Sequence, residues 1–355
     1  MQENNMGIQN APLVSIVVLN FNGKEFLKEC LDSLMATNYP NYEIVLVDNN
    51  SQDDSVEYVS KTYNMLKIIR LSRNEGYSRA YNLAFGQVHG KYMVLLNFDV
   101  KVDTNWLMPL VVAAEKDATI GALQPKLLSM LDEGYFEYAG ASGGYIDRYG
   151  YPFIRGRIFY TIEKDLGQYD DVCEVFWTSG AALFIRSEAI IQCGALDEDF
   201  FLHMEEIDLC WRLHLLGYHL HVIPSSRVYH YVGAALPQGS FLKLYLNHRN
   251  NIIMIIKNLQ VKNLLPILLI RIMLDKINIV YSALIKFNFK HAWAIIRAYI
   301  WILLHIHIVI RKRKEVQKRR VKKDVEYWHL VYPGSLIIDY FIKGKKTFSS
   351  LNFKS

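Results

Sequence analysis

Two rhythms of apolar residues alternate along the first hundred positions. LVSIVVLN (13–20) is a continuous apolar, β-branched run, as a strand buried on both faces of a parallel sheet requires. FNG interrupts it, and KEFLKECLDSLMAT then places Phe26, Cys30, Leu31 and Leu34 at helical spacing. YEIVLVD (42–48) predicts a second strand, followed by a turn-rich NNSQDD and a helix from about Ser55. LKIIRL (66–71) predicts a third strand, SRAYNLAFGQV a helix, and KYMVLLN (91–97) a fourth strand. Strands and helices alternating at this pitch predict an α/β fold with a doubly wound, mostly parallel sheet, which binds ligands outside the carboxyl ends of its strands. Three of the predicted strands end alike, in Asn20, in Asp48, and in Asn97 followed by Asp99. Between about 130 and 175 glycine, tyrosine and charge predominate, predicting irregular hairpins and loops. FWTSGAALFIR (176–186) returns to strand character, and a helix is expected from about Glu205 with Leu209, Leu213 and Leu216 as its apolar stripe.

Near residue 235 the composition shifts, which divides the 355-residue chain into a core domain over 12–235 and a helical, basic region over 236–355. The net charge of +5 is unevenly spread, because RKRKEVQKRRVKK (311–323) holds most of the surplus. Ahead of it, residues 240–310 are strongly apolar yet interrupted by Lys, Arg and Asp. Their longest uncharged run, AYIWILLHIHIVI (298–310), is shorter than the roughly 20 residues a spanning helix needs. Amphipathic helices in a membrane interface, with the basic run facing anionic headgroups, fit this pattern better than a spanning segment. The plainer alternative is a helical core or dimer interface with a solvated basic tail. The membrane reading places the protein at the cytoplasmic face of the cell membrane, peripheral or monotopic. The four cysteines have no metal-ligand or redox spacing and are expected as packed thiols. The N-terminus lacks the basic and apolar regions of a signal peptide.

Several positions carry candidate chemistry, each beside a plainer role. Asp48, with Asn49, Asn50 and Ser51, suits a turn and helix cap, or equally an acceptor for a nucleoside base or ribose. Asn74, Gly76 and Arg79 follow the third strand. Gly76 permits close backbone approach, and Arg79 could meet a phosphate. Asp99, just past a buried strand, suits a hard divalent cation bridging to phosphate, with Asn97 a weaker amide contributor. Glu205, Glu206 and Asp208 favour a helix start on dipole grounds alone. In a partly dry pocket one of them could serve as a general base. His230 would ordinarily be a satisfied histidine and less often a metal ligand.

The order of these elements is more specific than any one of them. VSIVVLNFNG, EIVLVDNNSQDDS, RNEGYSRAYNLA, YMVLLNFDV, SGAALFIR, FFLHMEEIDLCWRLHLLGY and RVYH together resemble family 2 glycosyltransferases of the GT-A fold, in particular rhamnosyltransferase-like members that build bacterial surface polysaccharides. The resemblance covers roughly 12–235. It implies an inverting transferase with a nucleotide-diphosphate sugar donor, a glycan acceptor that is lipid-linked, a divalent cation (Mg²⁺ or Mn²⁺), and no nucleic-acid partner. By the resemblance Asp48 binds the base, Asp99 is the last acid of the metal-binding DXD motif, Glu206 is the catalytic base and His230 completes the metal site. Asn20, Asn49, Asn74, Gly76, Arg79 and Asn97 complete the expected donor pocket. Asn97 and Phe98 depart from the strict motif, where an acid and often a proline stand. A dinucleotide-dependent oxidoreductase would share the βα alternation, but the first turn, LNFNGKEF, lacks G-x-G-x-x-G. A membrane-bound scaffold that binds a nucleotide sugar without turnover is the non-enzymatic alternative.

Overall fold

The computed structural model describes residues 11–132, 134–231 and 239–353. The N-terminal signal-peptide reading and the boundary at 235/236 therefore fall largely or wholly outside the described residues.

In chain order the first half comprises β1 (Val14–Asn20), α1 (Lys24–Met35), β2 (Tyr42–Asp48), α2 (Ser55–Thr62), β3 (Lys67–Arg70), α3 (Gly76–Phe85), β4 (Tyr92–Asn97), β5 (Val100–Val102), α4 (Leu107–Lys116) and β6 (Ile120–Ser129). Then come the short strands β7 (Gly144–Asp147), β8 (Pro152–Ile154), β9 (Arg157–Ile158), β10 (Thr161–Ile162) and β11 (Cys173–Glu174). β12 (Ala182–Arg186), α5 (Ser187–Cys193), α6 (Glu205–Leu216) and β13 (His219–His230) complete the α/β part. The C-terminal part holds α7 (Phe241–Asn258), α8 (Val261–Val280), α9 (Phe289–Leu304), α10 (Ile306–Arg319), α11 (Asp324–Tyr327) and β14 (Val331–Tyr332).

The main sheet runs β11-β13-β6-β12-β4-β1-β2-β3, with β5 paired to β13. β1 lies parallel to both β2 and β4, and β2 parallel to β3, as the βα alternation predicts. The other half departs from a mostly parallel sheet. β12 lies antiparallel between β4 and β6, and β13 pairs parallel with β6 but antiparallel with β5 and β11. The result is a GT-A-like α/β fold with a mixed sheet. An apolar run specifies burial on both faces but not direction, so the reversal at β12 carries no sequence signature. The expected hairpin region forms a second sheet, β10-β9-β8-β7-β14, whose last strand comes from the chain's far end.

Helix α6 is buried on nearly every side, not along one stripe. The cause is α7, which packs against the face that sequence periodicity assigns to solvent. Lys257 of α7 donates to Asp208 at 3.0 Å and also pairs with Asp197, while Asn258 Nδ2 donates to Asp208 Oδ1 at 2.9 Å. Arg212 donates to the other Asp208 oxygen at 2.8 Å. Burial alone would raise the Asp208 carboxyl, but Lys257 and Arg212 outweigh it and hold it below the usual range. All four cysteines are unpaired.

The basic run differs from a solvated tail. Lys312 pairs with Asp197 and Asp199, Arg313 donates to the carbonyls of Ile256 and Leu259, and Arg319 to that of Gln192. Arg320 pairs with Asp324 and Lys322 with Glu326. Arg311, Lys314, Lys318 and Lys323 are exposed. No single helix among the described residues is long and apolar enough to cross a membrane. α9 and α10, bent by 74° at their junction, pass that test only as a pair.

Candidate active site

The register of the parallel strands sets Asn20 of β1 beside Asp48 of β2, and Leu19 of β1 beside Asn97 of β4. The three strand ends read from the sequence thus share one edge. Asn20 is fully buried, and its Nδ2 donates to Asp48 Oδ1 (3.2 Å), Ser51 Oγ (3.0 Å) and Ser55 Oγ (2.9 Å). Its Oδ1 accepts from the Gly23 amide at 3.1 Å, so the side chain ties the β1–α1 loop to the β2–α2 loop. Asp48 accepts the Ser51 amide as well.

Asn49 makes a similar internal link to the next loop. Its Nδ2 donates to Asn74 Oδ1 (3.0 Å) and to the Gly76 carbonyl (3.2 Å), and its Oδ1 accepts the Glu75 amide at 2.8 Å. Gly76 sits at φ +73°, and a Cβ there would lie 2.5 Å from the Phe201 carbonyl oxygen. Only glycine permits that approach, which lets the Tyr77 amide donate to the same oxygen at 2.6 Å. Arg79 is 44% exposed at its side chain and faces two carboxylates, Glu75 at 3.3 Å and Glu198 at 3.8 Å.

Past β4, buried Asp99 holds its Oδ1 3.1 Å from His230 Nε2 at the end of β13. Asn97 Nδ2 is 3.4 Å from the same nitrogen. The other imidazole nitrogen, Nδ1, stands 3.1 Å from Glu137 Oε1, a residue the sequence reading did not single out. Burial alone would push the imidazole down, but Asp99 and then Glu137 reverse that and push it up to about 10. Glu137 is fully buried, and neither of its oxygens has a hydrogen-bond donor in good geometry. Among the described residues no group of three His, Cys, Asp or Glu side chains forms a ready-made metal cage. Asp99 and His230 nevertheless fit a shared cation, since adjacent ligands of an octahedral ion at about 2.1 Å stand about 3 Å apart.

The remaining predicted residue lies across a short bridge. The Asn97 amide donates to the Ala181 carbonyl at 3.1 Å, so the turn before β12 abuts the end of β4. In that turn a Cβ on Gly180 would lie 3.6 Å from Glu206 Cβ, and Tyr77 Oη donates to the Gly180 carbonyl at 2.7 Å. Glu206 Oε2 and Glu205 Oε2 both lack partners. Burial raises Glu206 to about 7, and burial followed by Glu206 itself raises Glu205 well above the carboxylate range. At neutral pH the pair comprises one protonated acid and one group poised to take a proton.

Residues 15–164 match the model of the family described as Glycosyl transferase family 2. Residues 15–164 are a family 2 glycosyltransferase domain. The chain is 28% identical over 254 residues to the O-antigen biosynthesis protein RfbC of Myxococcus xanthus, covering 68% of this chain but 19% of that protein. It is 25% identical over 258 residues to the N-acetylglucosaminyl-diphospho-decaprenol L-rhamnosyltransferase of Mycobacterium tuberculosis, covering 68% of this chain and 83% of that one. Among solved structures, the mannosyltransferase PcManGT of Pyrobaculum calidifontis, in complex with GDP-Man and Mn²⁺, superposes with a TM-score of 0.51 at 14% identity. That match covers 88% of this chain and 85% of the other. At that identity the likeness concerns the fold alone.

Asn20, Asp48 and Asn49 form one linked group with Asn74 and Gly76, and Asn97, Asp99 and His230 form a second. Glu206 stands over the turn beside the second. Arg79 joins neither by a hydrogen bond or ion pair. Glu137 could have drawn notice as an isolated acid in the aromatic and glycine-rich FEYAGASGG, where no helix start calls for one.

Proposed function

We propose that the protein is an inverting glycosyltransferase that moves a sugar from a nucleotide-diphosphate donor to a hydroxyl of a growing, lipid-linked surface glycan. The observation that carries this reading is Glu206, a carboxyl raised to about 7 with Oε2 unpartnered, set against the Gly180 turn that abuts the end of β4. Glu206 takes the proton of the acceptor hydroxyl as that oxygen bonds to the anomeric carbon. The bond from that carbon to the diphosphate breaks on the opposite side, and the nucleoside diphosphate leaves with the electron pair. One base and a single displacement invert the anomeric centre.

Asp99 and His230 would hold a divalent cation, which when bound supplies positive charge to the leaving diphosphate. Glu137 behind Nδ1 would hold the proton on that nitrogen, and a bound cation would take the place of the proton on Nε2. Asp48 receives the nucleoside base, while Asn20, Asn49, Asn74 and Gly76 shape the loops around it. Surface-glycan synthesis is favoured by the names of the Myxococcus and Mycobacterium relatives, and the latter's name includes a diphospho-decaprenol acceptor. The deciding experiment incubates purified protein with dTDP-, UDP- and GDP-sugars and a lipid-linked acceptor, and reads the acceptor by mass. No transfer from any donor favours the non-catalytic scaffold. A second measurement addresses the cation. Asp99→Ala should weaken Mn²⁺-dependent binding of nucleoside diphosphates at least tenfold by calorimetry, and wild-type affinity would remove Asp99 from the metal site.

The proposed setting is the cytoplasmic membrane face, with an anionic lipid surface as the partner of the C-terminal helices. Val261, Leu265, Leu269, Met273, Ile277 and Val280 form one face of α8, each 53–68% exposed. Phe287 and Phe289 project beyond it between exposed Lys286 and Lys290, an apolar tip flanked by cations. The double variant Leu269→Asp/Phe287→Asp should reduce sedimentation with vesicles containing phosphatidylglycerol at least tenfold without changing thermal stability. Wild-type protein that ignores such vesicles, or that forms a stable dimer through this face, would exclude the lipid partner.

A further inference from the structure

The segment leading into α6 is unusual in its backbone. Phe201 (φ +63°), His203 (φ +70°) and Met204 (φ +71°) are non-glycine residues in the left-handed region, three within four positions. Each such residue is strained and persists only where surroundings over-determine it. Local bonds hold the preceding turn through the Phe201 and Leu202 amides, but Met204 at the N-cap provides no side-chain cap. The restraint comes from α7. Asn250, fully buried, donates through Nδ2 to the carbonyls of Phe200 (2.9 Å), Leu202 (3.0 Å) and His203 (2.8 Å). Arg249 Nη2 donates to the carbonyls of Asp199 (2.6 Å) and Phe200 (3.2 Å). The Arg249 Nε donates to Asn250 Oδ1 at 2.9 Å, which orients the amide, and its guanidinium lies 4.8 Å from the Trp301 ring centre on α9. The third restraint comes from the opposite side, where the Tyr77 amide meets the Phe201 carbonyl beside Gly76.

We propose that Arg249 and Asn250 are positioning residues for catalysis, a clamp in the C-terminal helical part that holds the strained loop 199–204 and thereby fixes Glu206 against the Gly180 turn. The inference rests on the reading of Glu206 as the base. A buried asparagine that merely satisfied carbonyls would stabilise the fold wherever it stood. Here its partners, Phe200, Leu202 and the strained His203, flank Phe201 and directly precede Met204 and the acid pair, so its loss displaces the carboxyl before it unfolds the domain. The same arrangement makes the helical part necessary to the reaction irrespective of any lipid.

The test uses the full chain and two variants. Asn250→Leu replaces the amide with an apolar group of similar size. Arg249→Lys keeps the charge but loses the planar fork that reaches both the carbonyls and Asn250. Hydrogen exchange is expected to rise at least tenfold over residues 198–206 in Asn250→Leu, with the remainder of α6 and strands β1, β2 and β4 unchanged. With the donor identified by the mass-shift screen, kcat should fall about 30-fold at a donor KM within twofold of wild type, and Arg249→Lys should fall about fivefold. The acid limb of the rate profile should move below that of wild type as water reaches Glu206. Unchanged exchange over 198–206 in both folded variants would overturn the clamp, as would faster exchange with unchanged kcat. In the latter case, a Glu206→Gln variant of equally unchanged kcat would place the error in the base assignment, since the exchange data would still report a held loop. If Asn250→Leu does not fold, Arg249→Lys decides by the same two readouts.

Discussion

Glu206→Gln lowers turnover by roughly 10² to 10⁴, the usual range for removal of a general base, while donor affinity and fold are retained. The side chain keeps its size, and its oxygen Oε2 has no hydrogen-bond partner to lose. The pH dependence carries a definite sign. A base must be deprotonated to act, and burial raises Glu206 to about 7, so kcat/KM in wild type falls with decreasing pH through about 7. The linked stability runs in the other direction. A carboxyl whose folded value is raised favours the fold at low pH and loses that advantage as pH rises through the folded value. The Gln variant, unable to ionise, is therefore more stable than wild type above pH 7. Glu205→Gln should cost far less turnover, because Glu205 is already protonated there. A stopped-time mass assay of both variants between pH 5.5 and 9 checks the assignment. Greater damage from Glu205→Gln at equal stability would move the base by one residue.

Asp208→Ala should destabilise the protein by about 3–5 kcal/mol, the range for breaking a buried ion pair by removing one partner. The aspartate is fully buried and receives Lys257, Arg212 and Asn258, two of them from α7. Alanine leaves two buried cations short of a counter-charge, and Asp197 compensates only for Lys257. Because the Asp208 carboxyl is held below its usual value, its contribution is present above the ordinary aspartate range and is lost as pH falls through the depressed value. Urea unfolding at pH 7 reads the loss, and an unchanged midpoint would contradict the docking of α7 on α6. The expectation also bears on truncation near residue 240. Such a fragment loses Lys257, Asn258, Arg249 and Asn250 together, so it exposes the α6 network in addition to any loss of membrane contact.

How far the sequence discloses this arrangement differs by element. β1, β2 and β4 are legible because continuous β-branched runs have few other fates, and their polar ends follow from the same runs. The pairing of Asn20 with Asp48 needs only parallel register. The paired acids at the start of α6 are visible, but their differing environments are not, because dryness depends on what packs above them. The helical period of α6 shows one apolar face. Its buried Asp208 is matched by KN in α7 and the loop before it by RN, which in sequence look like interruptions of an apolar helix. The basic run misleads for a related reason. A lysine that reaches Asp197 and a lysine that reaches solvent are alike in sequence, and only the fold of α10 over α7 separates Lys312 from Lys314. Glu137 stays hidden because its meaning lies in His230, 93 residues away across an irregular region.

The pairing of β14 with β7 has a consequence for the order of assembly. Val331 aligns with Ile146, and the Leu336 amide donates to the Asp147 carboxylate at 2.9 Å, so the small sheet joins segments about 185 residues apart. At about 5–20 residues per second, the ribosome delivers the partner strand roughly 10–40 s after β7 emerges. Through that interval β7 presents an open edge and Asp147 lacks one of its three amide donors, the other two being Tyr149 and Tyr151. The small sheet therefore gains its last strand only after the local hairpins can form, and a nascent chain stalled before residue 331 holds it with one edge unfinished.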